Sequence, residues 1–441
     1  MLTVPEASAR ILEHITLLGI ERVALLDSLG RVLAEPVRAP MTLPAWDNSA
    51  MDGYAVRAVD LETATSERPV VLRVLETIAA GRFASRPVGA GEAIRIMTGA
   101  PIPDGADTVV RVEDTDGGIE TVQIRDARDA RRNIRPRGED FKEGDSLLEP
   151  GAPLGAAQLG ILASAGRAAV DVFRRPRVAI LGSGDELVDV DQFHEVLAGR
   201  KIVSSNGYTL HALVRSAGGE PINLGVAADD PASLRDHLRR STGSDLILTS
   251  AGVSVGEFDF TRDVVQALGA DMKFWRVRMR PGAPLGFGLL GPTPWIGLPG
   301  NPVSAMVTFE LFVRPVIRRM LGHSRLFRRP VPVILEEQVT IGARLTHFLR
   351  AIVSTGDDGR VTARLTGPQG SGILTSMSRA NALLVVPEER QVVDAGETLH
   401  ALPLGDDAGL TTRFALRSWP CRLRRCCRTK PWPSSSRRWT R

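Results

Sequence analysis

The chain has 441 residues, of which 43% are hydrophobic and 24% are charged, a balance typical of a folded protein with several domains. No window approaches the ~18 consecutive apolar residues of a membrane span, and the first residues lack the pattern of a secretory signal. We therefore expect a cytoplasmic protein without membrane contact. The net charge of +4 arises from residues 413–441, which hold ten basic and no acidic residues, so the remaining chain is acidic.

All three cysteines lie in the same terminal segment, at Cys421, Cys426 and Cys427. The rest of the chain therefore cannot use disulfides, thiolate chemistry or cysteine-ligated zinc. Residues 406–441 are predicted to be a basic, disordered tail. A disordered or aberrant extension is favoured over a segment that binds nucleic acid or anionic lipid, because the composition changes abruptly there.

The chain begins with a predicted helix. Thr3 and Glu6 fit a capping box, and the apolar residues after them recur at helical spacing, which predicts a helix over residues 3–18. Residues 20–45 are interrupted by proline, so we expect extended segments there.

A β-rich module is predicted next. Strand-like runs such as Val70–Leu75 alternate with Gly and Pro turns across residues 46–145. A second helix is predicted at Gly155–Ala165. The chain up to the linker that ends at Pro176 is therefore expected to be α+β.

From residue 177 the pattern changes to alternating strands and helices, which predicts a parallel sheet with helices on both faces. The predicted strands are Arg177–Leu181, Ile222–Ala227, Asp245–Thr249 and Trp295–Leu298. The predicted helices are Gly207–Ala217, Pro231–Arg240 (capped by Asp229 or Asp230), Thr261–Leu268 and Asn301–Leu321, the last interrupted near Pro315. Strands return through roughly Leu404, which predicts a small β-barrel or sandwich.

Three of the predicted strands end in loops rich in glycine or turn-forming residues, at 182–186, 250–256 and 299–302. Ligands of open α/β sheets bind beyond the carboxyl ends of the strands. Glycine lets the backbone approach a ligand closely, and helix N-termini offer free N–H groups to an anion. The three loops together predict a site for a phosphorylated ligand, although none is a Walker loop or a dinucleotide-binding fingerprint.

Carboxylates accompany these loops. Asp185 and Glu186 lie in the first, and Glu257 and Asp259 follow the second. Carboxylates beside phosphate-binding backbone indicate Mg²⁺, which bridges carboxylate and phosphate oxygens. The alternative is surface solvation or helix capping, which is less convincing for Asp259 because phenylalanines flank it.

Cationic side chains are also available. Arg276, Arg278 and Arg280 alternate, so on one strand they would share a face and form a strip for a tetrahedral anion; an exposed strand face is the alternative. The turn-rich run 47–57 carries two carboxylates and is a second candidate for contact with a ligand or metal. No pair of the seven histidines has metal-ligand spacing.

Nine runs together give the chain a family resemblance. They are DNSAMDGYAVR (47–57), RIMTGAPIPDGAD (95–107), RGEDF (137–141), GDEL (184–187), SSNGY (204–208), GVSVGEFD (252–259), RPGAP (280–284), GLPGNPVS (297–304) and HFLRA (347–351). In their order and spacing they resemble the molybdopterin molybdenumtransferases, the bacterial MoeA proteins and the E domain of gephyrin-like proteins, over residues 1–405.

The resemblance implies an enzyme of molybdenum cofactor biosynthesis. The family reaction inserts molybdate into adenylylated molybdopterin, releases AMP and depends on a divalent metal such as Mg²⁺. It also implies a homodimer and contacts with the adenylyltransferase of the pathway and with apo-molybdoenzymes, and it gives no reason to expect nucleic acid as a partner. A non-catalytic paralogue that binds the pterin or a partner protein is the alternative.

The resemblance also carries site residues to positions in this chain. The catalytic positions are Asp52, Thr98, Asp140, Glu186 and Asp259, of which Asp259 and Glu186 are the metal ligands, with Asp185 and Asp229 as weaker candidates near the same ligand. The positions for pterin and molybdate are Gly184, Asp185, Ser250, Gly252, Ser254, Arg276, Arg280, Pro299, Asn301, Pro302, Ser304, Arg350 and Ser371, with Arg350 and Ser371 on the molybdate side.

The implied fold is multidomain α/β. It has an elongated N-terminal α+β domain with an inserted β domain, a MogA-like doubly wound pterin-binding domain and a C-terminal β-barrel. The expected boundaries are 1–45 with 146–174, 46–145, 175–327 and 328–405, followed by the tail 406–441. In the implied dimer the N-terminal run of one subunit faces the α/β domain of the other, which would bring Asp52, Thr98 and Asp140 to the glycine-rich loops.

Three departures from the family pattern affect the expected site. Arg276 and Arg280 stand where the family commonly has lysine, which keeps the charge but changes its reach and geometry. Ala283 replaces a further lysine and removes one expected molybdate contact, for which Arg278 could substitute. Ala251 replaces a glycine, so it is expected to avoid positive φ unless the loop relaxes.

Overall fold

The structure is a computed structural model that describes residues 1–251 and 261–405. The chain begins with α1 (Val4–Leu12), β1 (Ile20–Ala24) and β2 (Val37–Arg38). The predicted capping box is confirmed, since the Thr3 N–H donates to Glu6 Oε2 at 2.8 Å and the Glu6 N–H to Thr3 Oγ1 at 3.4 Å. The helix ends at Leu12, shorter than predicted. Its last turn tightens, and the Leu18 N–H instead donates to Met320 O at 3.0 Å, so a long-range contact replaces the helical one.

The β-rich module contains seven strands: β3 (Asn48–Ser49), β4 (Gly53–Val56), β5 (Val70–Ile78), β6 (Glu92–Ile96), β7 (Thr108–Arg111), β8 (Thr121–Ile124) and β9 (Ile134–Arg135). Five of them form a sheet in the order β7-β4-β6-β5-β8, and β3 pairs with β9. Two hydrophobic clusters fill this module, and all their residues lie between 54 and 134. The module therefore has cores of its own.

The chain then returns to the N-terminal elements through β10 (Ser146–Leu148), α2 (Ala156–Ser164) and β11 (Ala169–Phe173). β10 pairs antiparallel with β2, and β11 pairs antiparallel with β1. These pairings bring together the two chain segments that flank the β-rich module. The module is thus an insertion between paired strands.

The α/β unit contains nine strands and six helices within the described residues. The strands are β12 (Arg177–Ser183), β13 (Leu187–Val188), β14 (Ile202–Val203), β15 (Glu220–Ala227), β16 (Leu246–Ser250), β17 (Ala270–Arg276), β18 (Met279–Arg280), β19 (Pro284–Leu290) and β20 (Thr293–Leu298). The helices are α3 (Phe193–Leu197), α4 (Ser205–Ser216), α5 (Pro231–Arg239), α6 (Thr261–Ala267), α7 (Pro302–Thr308) and α8 (Arg314–Met320).

Six of these strands form one sheet in the order β15-β12-β16-β20-β19-β17. The first four are parallel, as predicted, whereas β19 and β17 are antiparallel and were not predicted. Alternate residues of β12 face opposite layers: Val178 and Ile180 pack in a cluster with α4, α7 and α8, and Ala179 and Leu181 pack in one with α5 and α6. Helices therefore cover both faces of the sheet.

The predicted interruption near Pro315 is confirmed. A π-helical turn at Phe309–Val313 separates α7 from α8. Pro315 has no N–H to donate to the carbonyl four residues earlier, and its ring crowds that carbonyl. A wider turn immediately before the proline relieves both problems.

The last unit is a closed barrel. Its elements are β21 (Val331–Leu335), β22 (Val339–Thr340), β23 (Thr346–Thr355), β24 (Val361–Leu365), α9 (Leu374–Arg379), β25 (Ala382–Val386), β26 (Val392–Val393) and β27 (Thr398–Pro403). The order β23-β24-β21-β27-β25 closes because β25 also pairs with β23, so the region is a barrel and not a sandwich. β18 from the α/β unit adds in parallel to β23 and places Arg280 beside His347.

The fold confirms the multidomain α/β architecture expected from the sequence. None of the helices that the structure describes is long and apolar enough to cross a bilayer.

Candidate functional site

The described parts of the three glycine-rich loops, 182–186, 250–251 and 299–302, come together at one edge of the sheet. β12, β16 and β20 are adjacent and parallel, so their carboxyl ends open on the same side. The loops and the start of α4 line a cavity of about 440 Å³, here called the sheet-edge cavity. Six predicted site residues line it: Glu186, Ser250, Pro299, Asn301, Pro302 and Ser304.

The first loop is shaped by a glycine and two carboxylates. Gly184 has φ +148°, a backbone conformation that other residues rarely adopt, and a Cβ there would lie 2.6 Å from Glu186 Oε2, so a larger residue would strain the backbone and displace this carboxylate. Asp185 does not line the cavity. Its N–H donates to Asp229 Oδ2 at 3.3 Å and its Oδ1 accepts from the Asp229 N–H at 3.1 Å, so the pair joins the loops after β12 and β15.

The second loop begins with a strained residue. Ala251, at the cavity wall, has φ +86°, a conformation that favours glycine. The expectation that Ala251 avoids positive φ is therefore wrong. Gly300 lies against it, since a Cβ at Gly300 would be 3.2 Å from the Ala251 Cβ. The backbone at Ala251 thus keeps the conformation that glycine would give it, at a cost in stability.

Replacing Ala251 with glycine should raise the free energy of unfolding by about 1 kcal/mol, because the left-handed conformation no longer carries a Cβ penalty. Denaturant unfolding of both proteins measures the change. The matched control is Ala163→Gly on the exposed face of α2, which should lower stability by about 1 kcal/mol. A loss of stability in Ala251→Gly would contradict the strain argument.

A second cavity of about 610 Å³, here called the barrel cavity, lies where β18 meets the barrel. Three predicted residues line it: Arg280, Arg350 and Ser371. The Arg350 side chain is fully buried. Its Nε donates to Ser376 Oγ at 3.0 Å and its Nη2 to Gly370 O at 2.9 Å, while Nη1 has no hydrogen-bond partner among the described residues.

No carboxylate of the described residues pairs with Arg350. Burial lowers the pKa of its guanidinium, which nevertheless stays charged at neutral pH. A buried cation without a counter-ion is costly, and an anion in the cavity would offset that cost. The barrel cavity is therefore a candidate oxyanion site.

His347 contributes a neutral ring to this cavity. Burial lowers its pKa, the nearby charge of Arg280 lowers it further, and a hydrogen bond to Leu345 O opposes the shift. Nδ1 lies 2.7 Å from that carbonyl, which only accepts, so Nδ1 carries the proton and Nε2 is the free acceptor. At neutral pH the cations that line the described part of this cavity are therefore Arg280 and Arg350.

The two cavities adjoin. The segment 280–284 supplies Arg280 and Pro281 to the barrel cavity and Pro284 to the sheet-edge cavity. The N-terminus of α7 makes a second link, since the Val303 N–H donates to Ser371 O at 3.0 Å. A ligand in the sheet-edge cavity therefore lies beside an anion in the barrel cavity.

The prediction that three arginines form a strip on one strand face is wrong. β17 ends at Arg276 and β18 begins at Met279, so Arg276, Arg278 and Arg280 do not share one strand face. Arg278 points to the barrel surface, where it pairs with Glu388 at 3.0 Å, and cannot replace the missing cation at Ala283. The Val277 N–H donates to Ala283 O at 2.9 Å, and this turn breaks the strand. Arg276 lines neither cavity within the described residues.

The N-terminal motifs form a separate cluster in the β-rich module. Asp52 Oδ1 accepts from the Thr98 N–H and from Thr98 Oγ1, both at 2.7 Å, and these bonds hold the Asp52 pKa below its usual value. The Arg137 N–H donates to Asp47 Oδ1 at 2.6 Å, which joins the run 47–57 to the exposed Asp140 region.

This cluster is not joined to the cavities within one chain. Across residues 1–251 and 261–405, no hydrogen bond links segment 46–145 to a residue that lines either cavity. The motifs that carry Asp52, Thr98 and Asp140 are therefore joined to one another within one chain. In the described residues they are not joined to Glu186 or Arg350. Gly252, Ser254, Glu257 and Asp259 lie outside the described residues, as does the predicted tail.

Several cavity residues were not assigned a role from the sequence. Asn206 and Ser204 line the sheet-edge cavity and belong to the run SSNGY, and His347 lines the barrel cavity and begins HFLRA. Both runs were recognised as motifs, but the residue types at these positions did not by themselves indicate a role. Gln369, whose Oε1 accepts from the Arg350 N–H at 2.8 Å, comes directly before the Gly370-Ser371 pair.

A doubly wound sheet with a cavity at its carboxyl edge, joined to a barrel that supplies a buried cation, defines a multidomain α/β protein for an anionic ligand. Comparison with known families agrees with this class. Residues 2–166 match the MoeA N-terminal region (domain I and II), residues 179–319 a probable molybdopterin binding domain, and residues 332–404 the MoeA C-terminal region (domain IV).

Comparison with individual proteins gives the same result as comparison with the family models. The chain is 40% identical over 388 residues to molybdopterin molybdenumtransferase 2 of Mycobacterium tuberculosis, covering 87% of this chain and 94% of that protein. It is 35% identical over 410 residues to the enzyme named molybdopterin molybdenumtransferase of Haemophilus influenzae, covering 91% and 98%. The moeA protein of Pyrococcus horikoshii OT3 superposes with a TM-score of 0.78 at 29% identity, covering 91% of this chain and 100% of that one.

The chain belongs to the molybdopterin molybdenumtransferase (MoeA) family. It is accordingly a transferase of molybdenum cofactor biosynthesis.

Proposed function

We propose that this chain inserts molybdate into adenylylated molybdopterin and releases AMP, in a reaction that depends on Mg²⁺. The observation that carries the proposal is the fully buried Arg350, which has no carboxylate partner in the described chain and lines a cavity that adjoins the sheet-edge cavity. Molybdate is a tetrahedral dianion and matches such a cation. The sheet-edge cavity then holds the molecule that receives the metal.

The sheet-edge cavity suits the phosphorylated part of the pterin substrate. α4 is twelve residues long and begins at the cavity wall, so its free N–H groups face the space that a phosphate would occupy. The hydroxyls of Ser204, Ser205 and Ser250 also line the wall and can donate to phosphate oxygens.

The barrel cavity would hold molybdate beside that ligand. Arg350 and Arg280 supply charge, Ser371 a hydroxyl, and the Nδ1–H tautomer of His347 leaves Nε2 as an acceptor for a protonated oxygen. The protein then works by positioning two anions and balancing their charge. Ala283 adds no positive charge, so the affinity of the barrel cavity for an anion depends on Arg280 and Arg350.

Mg²⁺ fits the residues of the sheet-edge cavity in part. Glu186 is the one carboxylate that lines this cavity in the described residues, and no group of three or more metal-binding side chains forms there. Mg²⁺ commonly takes one or two protein carboxylates and completes its shell with substrate phosphate and water. We propose Glu186 and Asp259 as its protein ligands; bound there, it would neutralise the phosphate link that is cleaved.

We propose further that a homodimer completes the site with Asp52, Thr98 and Asp140 of the second subunit. Two exposed rings lie beside this cluster: Trp46 and Phe83 pack edge to face with centroids 5.1 Å apart, although 40% and 64% of their surfaces are exposed. Such a rigid apolar pair is typical of interface anchors. Cytoplasmic residence and contacts with the pathway adenylyltransferase and apo-molybdoenzymes remain predictions.

Purified protein given adenylylated molybdopterin, Mg²⁺ and molybdate should release AMP, and release should depend on both molybdate and the metal. Chromatography of AMP over time measures it. AMP formation that ignores molybdate would contradict metal insertion. Tight binding of the pterin without any AMP would instead favour the alternative, a non-catalytic paralogue, to which the missing cation at Ala283 gives some support.

A further inference from the structure

One side chain joins three of the elements that line the sheet-edge cavity. Asn206 lies in the first turn of α4, and its Nδ2 donates to Ser250 Oγ and to Gly300 O, both at 2.7 Å. Ser250 ends β16, and Gly300 follows β20. Three segments that are distant in sequence therefore meet at one amide group.

The carbonyl fixes the orientation of this amide. Gly300 O can only accept, so the nitrogen of Asn206 must face it and the oxygen must face away. Oδ1 is buried and has no hydrogen-bond partner among residues 1–251 and 261–405, so within that part of the chain the amide leaves its acceptor unsatisfied while it binds both segments. A buried polar atom without a partner is uncommon in native structures, which argues that this orientation serves the site.

The two bonds have different consequences. The bond to Gly300 O holds the loop before α7, where Asn301 and Pro302 line the cavity. The bond to Ser250 Oγ occupies a lone pair of that hydroxyl, so the Ser250 proton is left to donate to a ligand in the cavity. Ser250 is itself 3% exposed, which leaves it few other partners.

We propose that Asn206 is a positioning residue that aligns the end of β16 with the loop after β20 and directs the Ser250 hydroxyl proton toward the substrate. This rests on the proposed function for what the cavity binds. Asn206 acts through Ser250 and the Gly300 backbone, and it needs no contact with the reacting atoms.

The Asn206→Asp variant tests the proposal, because aspartate has nearly the same shape but no donor when ionised. Its carboxylate would face Gly300 O and repel it. We expect kcat for molybdate-dependent AMP release to fall by about 10- to 100-fold, as for a small misplacement of reacting groups. The KM for molybdate should stay unchanged, because other residues line the barrel cavity. Below the pKa of the new carboxyl the protonated acid can donate once, so the ratio of variant to wild-type activity should rise as pH falls.

Asn223→Asp is the matched control. The amide oxygen of Asn223 accepts from the Gly225 N–H at 2.9 Å, and a carboxylate keeps that bond. Activity of this control should equal wild type. Wild-type kcat in Asn206→Asp would overturn the proposal, since it would show that shape alone is required. If Asn206→Asp does not fold, Ser250→Ala replaces it: loss of the hydroxyl should also lower kcat, and an unchanged kcat would overturn the role of the Ser250 proton.

Hydrogen exchange separates this proposal from the proposed function. Peptides that contain Ser250 and Gly300 should exchange at least several-fold faster in Asn206→Asp than in wild type or Asn223→Asp. This holds whether or not the wild-type protein releases AMP. Equal exchange in all three proteins would overturn the role of Asn206 in holding these segments together. If exchange differs as expected but the wild type itself releases AMP only slowly, only the proposed reaction is overturned.

Discussion

Arg350→Met is expected to lower kcat/KM for molybdate by at least about 100-fold, because it removes a fully buried cation from the barrel cavity. Methionine keeps most of the volume, so packing is preserved. The free energy of unfolding without anion should change by no more than about 1–2 kcal/mol. Loss of the bonds to Ser376 and Gly370 lowers stability, and relief of a buried unpaired charge raises it.

Thermal unfolding with and without molybdate measures binding independently of turnover. Molybdate should stabilise the wild type by about 2.7 kcal/mol at a concentration of 100 times Kd, and it should leave Arg350→Met unchanged. Arg364→Met on the exposed side of β24 is the matched control, which should respond to molybdate like the wild type. If Arg350→Met is still stabilised by molybdate, the oxyanion site lies elsewhere.

Mixing two inactive variants should restore activity if each site draws on two subunits. Asp52→Asn removes the carboxylate that Thr98 holds, and Arg350→Met removes the buried cation. Each homodimer should be inactive. A mixed dimer has one site with both defects and one site with neither, so random assortment of equal amounts should give about a quarter of wild-type activity.

Co-expression with two different affinity tags provides the mixed dimer free of homodimers, and its AMP release should be about half that of the wild type because one of its two sites is intact. The matched control is a mixture of Arg350→Met with Asp140→Asn, since Asp140 belongs to the same N-terminal cluster and should complement in the same way. A mixture of Asp52→Asn with Asp140→Asn should stay inactive, because both changes fall on the same half of the site. Recovery of activity in the mixture of Asp52→Asn with Asp140→Asn would contradict a site shared between subunits. The absence of recovery in the two mixtures that contain Arg350→Met would contradict it as well.

Short-range sequence patterns predicted most of the helices and strands. The Thr3 and Glu6 capping box, the alternation of strands and helices after residue 177 and the interruption before Pro315 all depend on neighbouring residues, so the sequence contains their causes. The helix after Thr3 is shorter than predicted: its end tightens through bonds from His14 to Ile11 and from Ile15 to Leu12, and further on Leu18 bonds to Met320, more than 300 residues away. β17 and β19 were missed because they belong to an antiparallel edge, which the alternation does not reveal.

The candidate site was predicted in parts. Glu186, Ser250 and the run from Pro299 to Ser304 line one cavity, as their glycine-rich loops indicated. The roles of Asp259 and its neighbours remain predictions, because those residues lie outside the described structure. Asn206 could not be recognised, since its importance is a pair of 2.7 Å hydrogen bonds to residues 44 and 94 positions away.

The sequence by itself determined the family, the alternation of units and the identity of the loops that carry chemistry, because these follow from local residue type and spacing. Only the tertiary structure decided that the arginine strip is broken, that Ala251 adopts positive φ and that two cavities adjoin. The reason is physical. Arg280 lies beside His347 through strand pairing, and Val303 bonds to Ser371 across the domain boundary, so these features exist only when distant segments pack together.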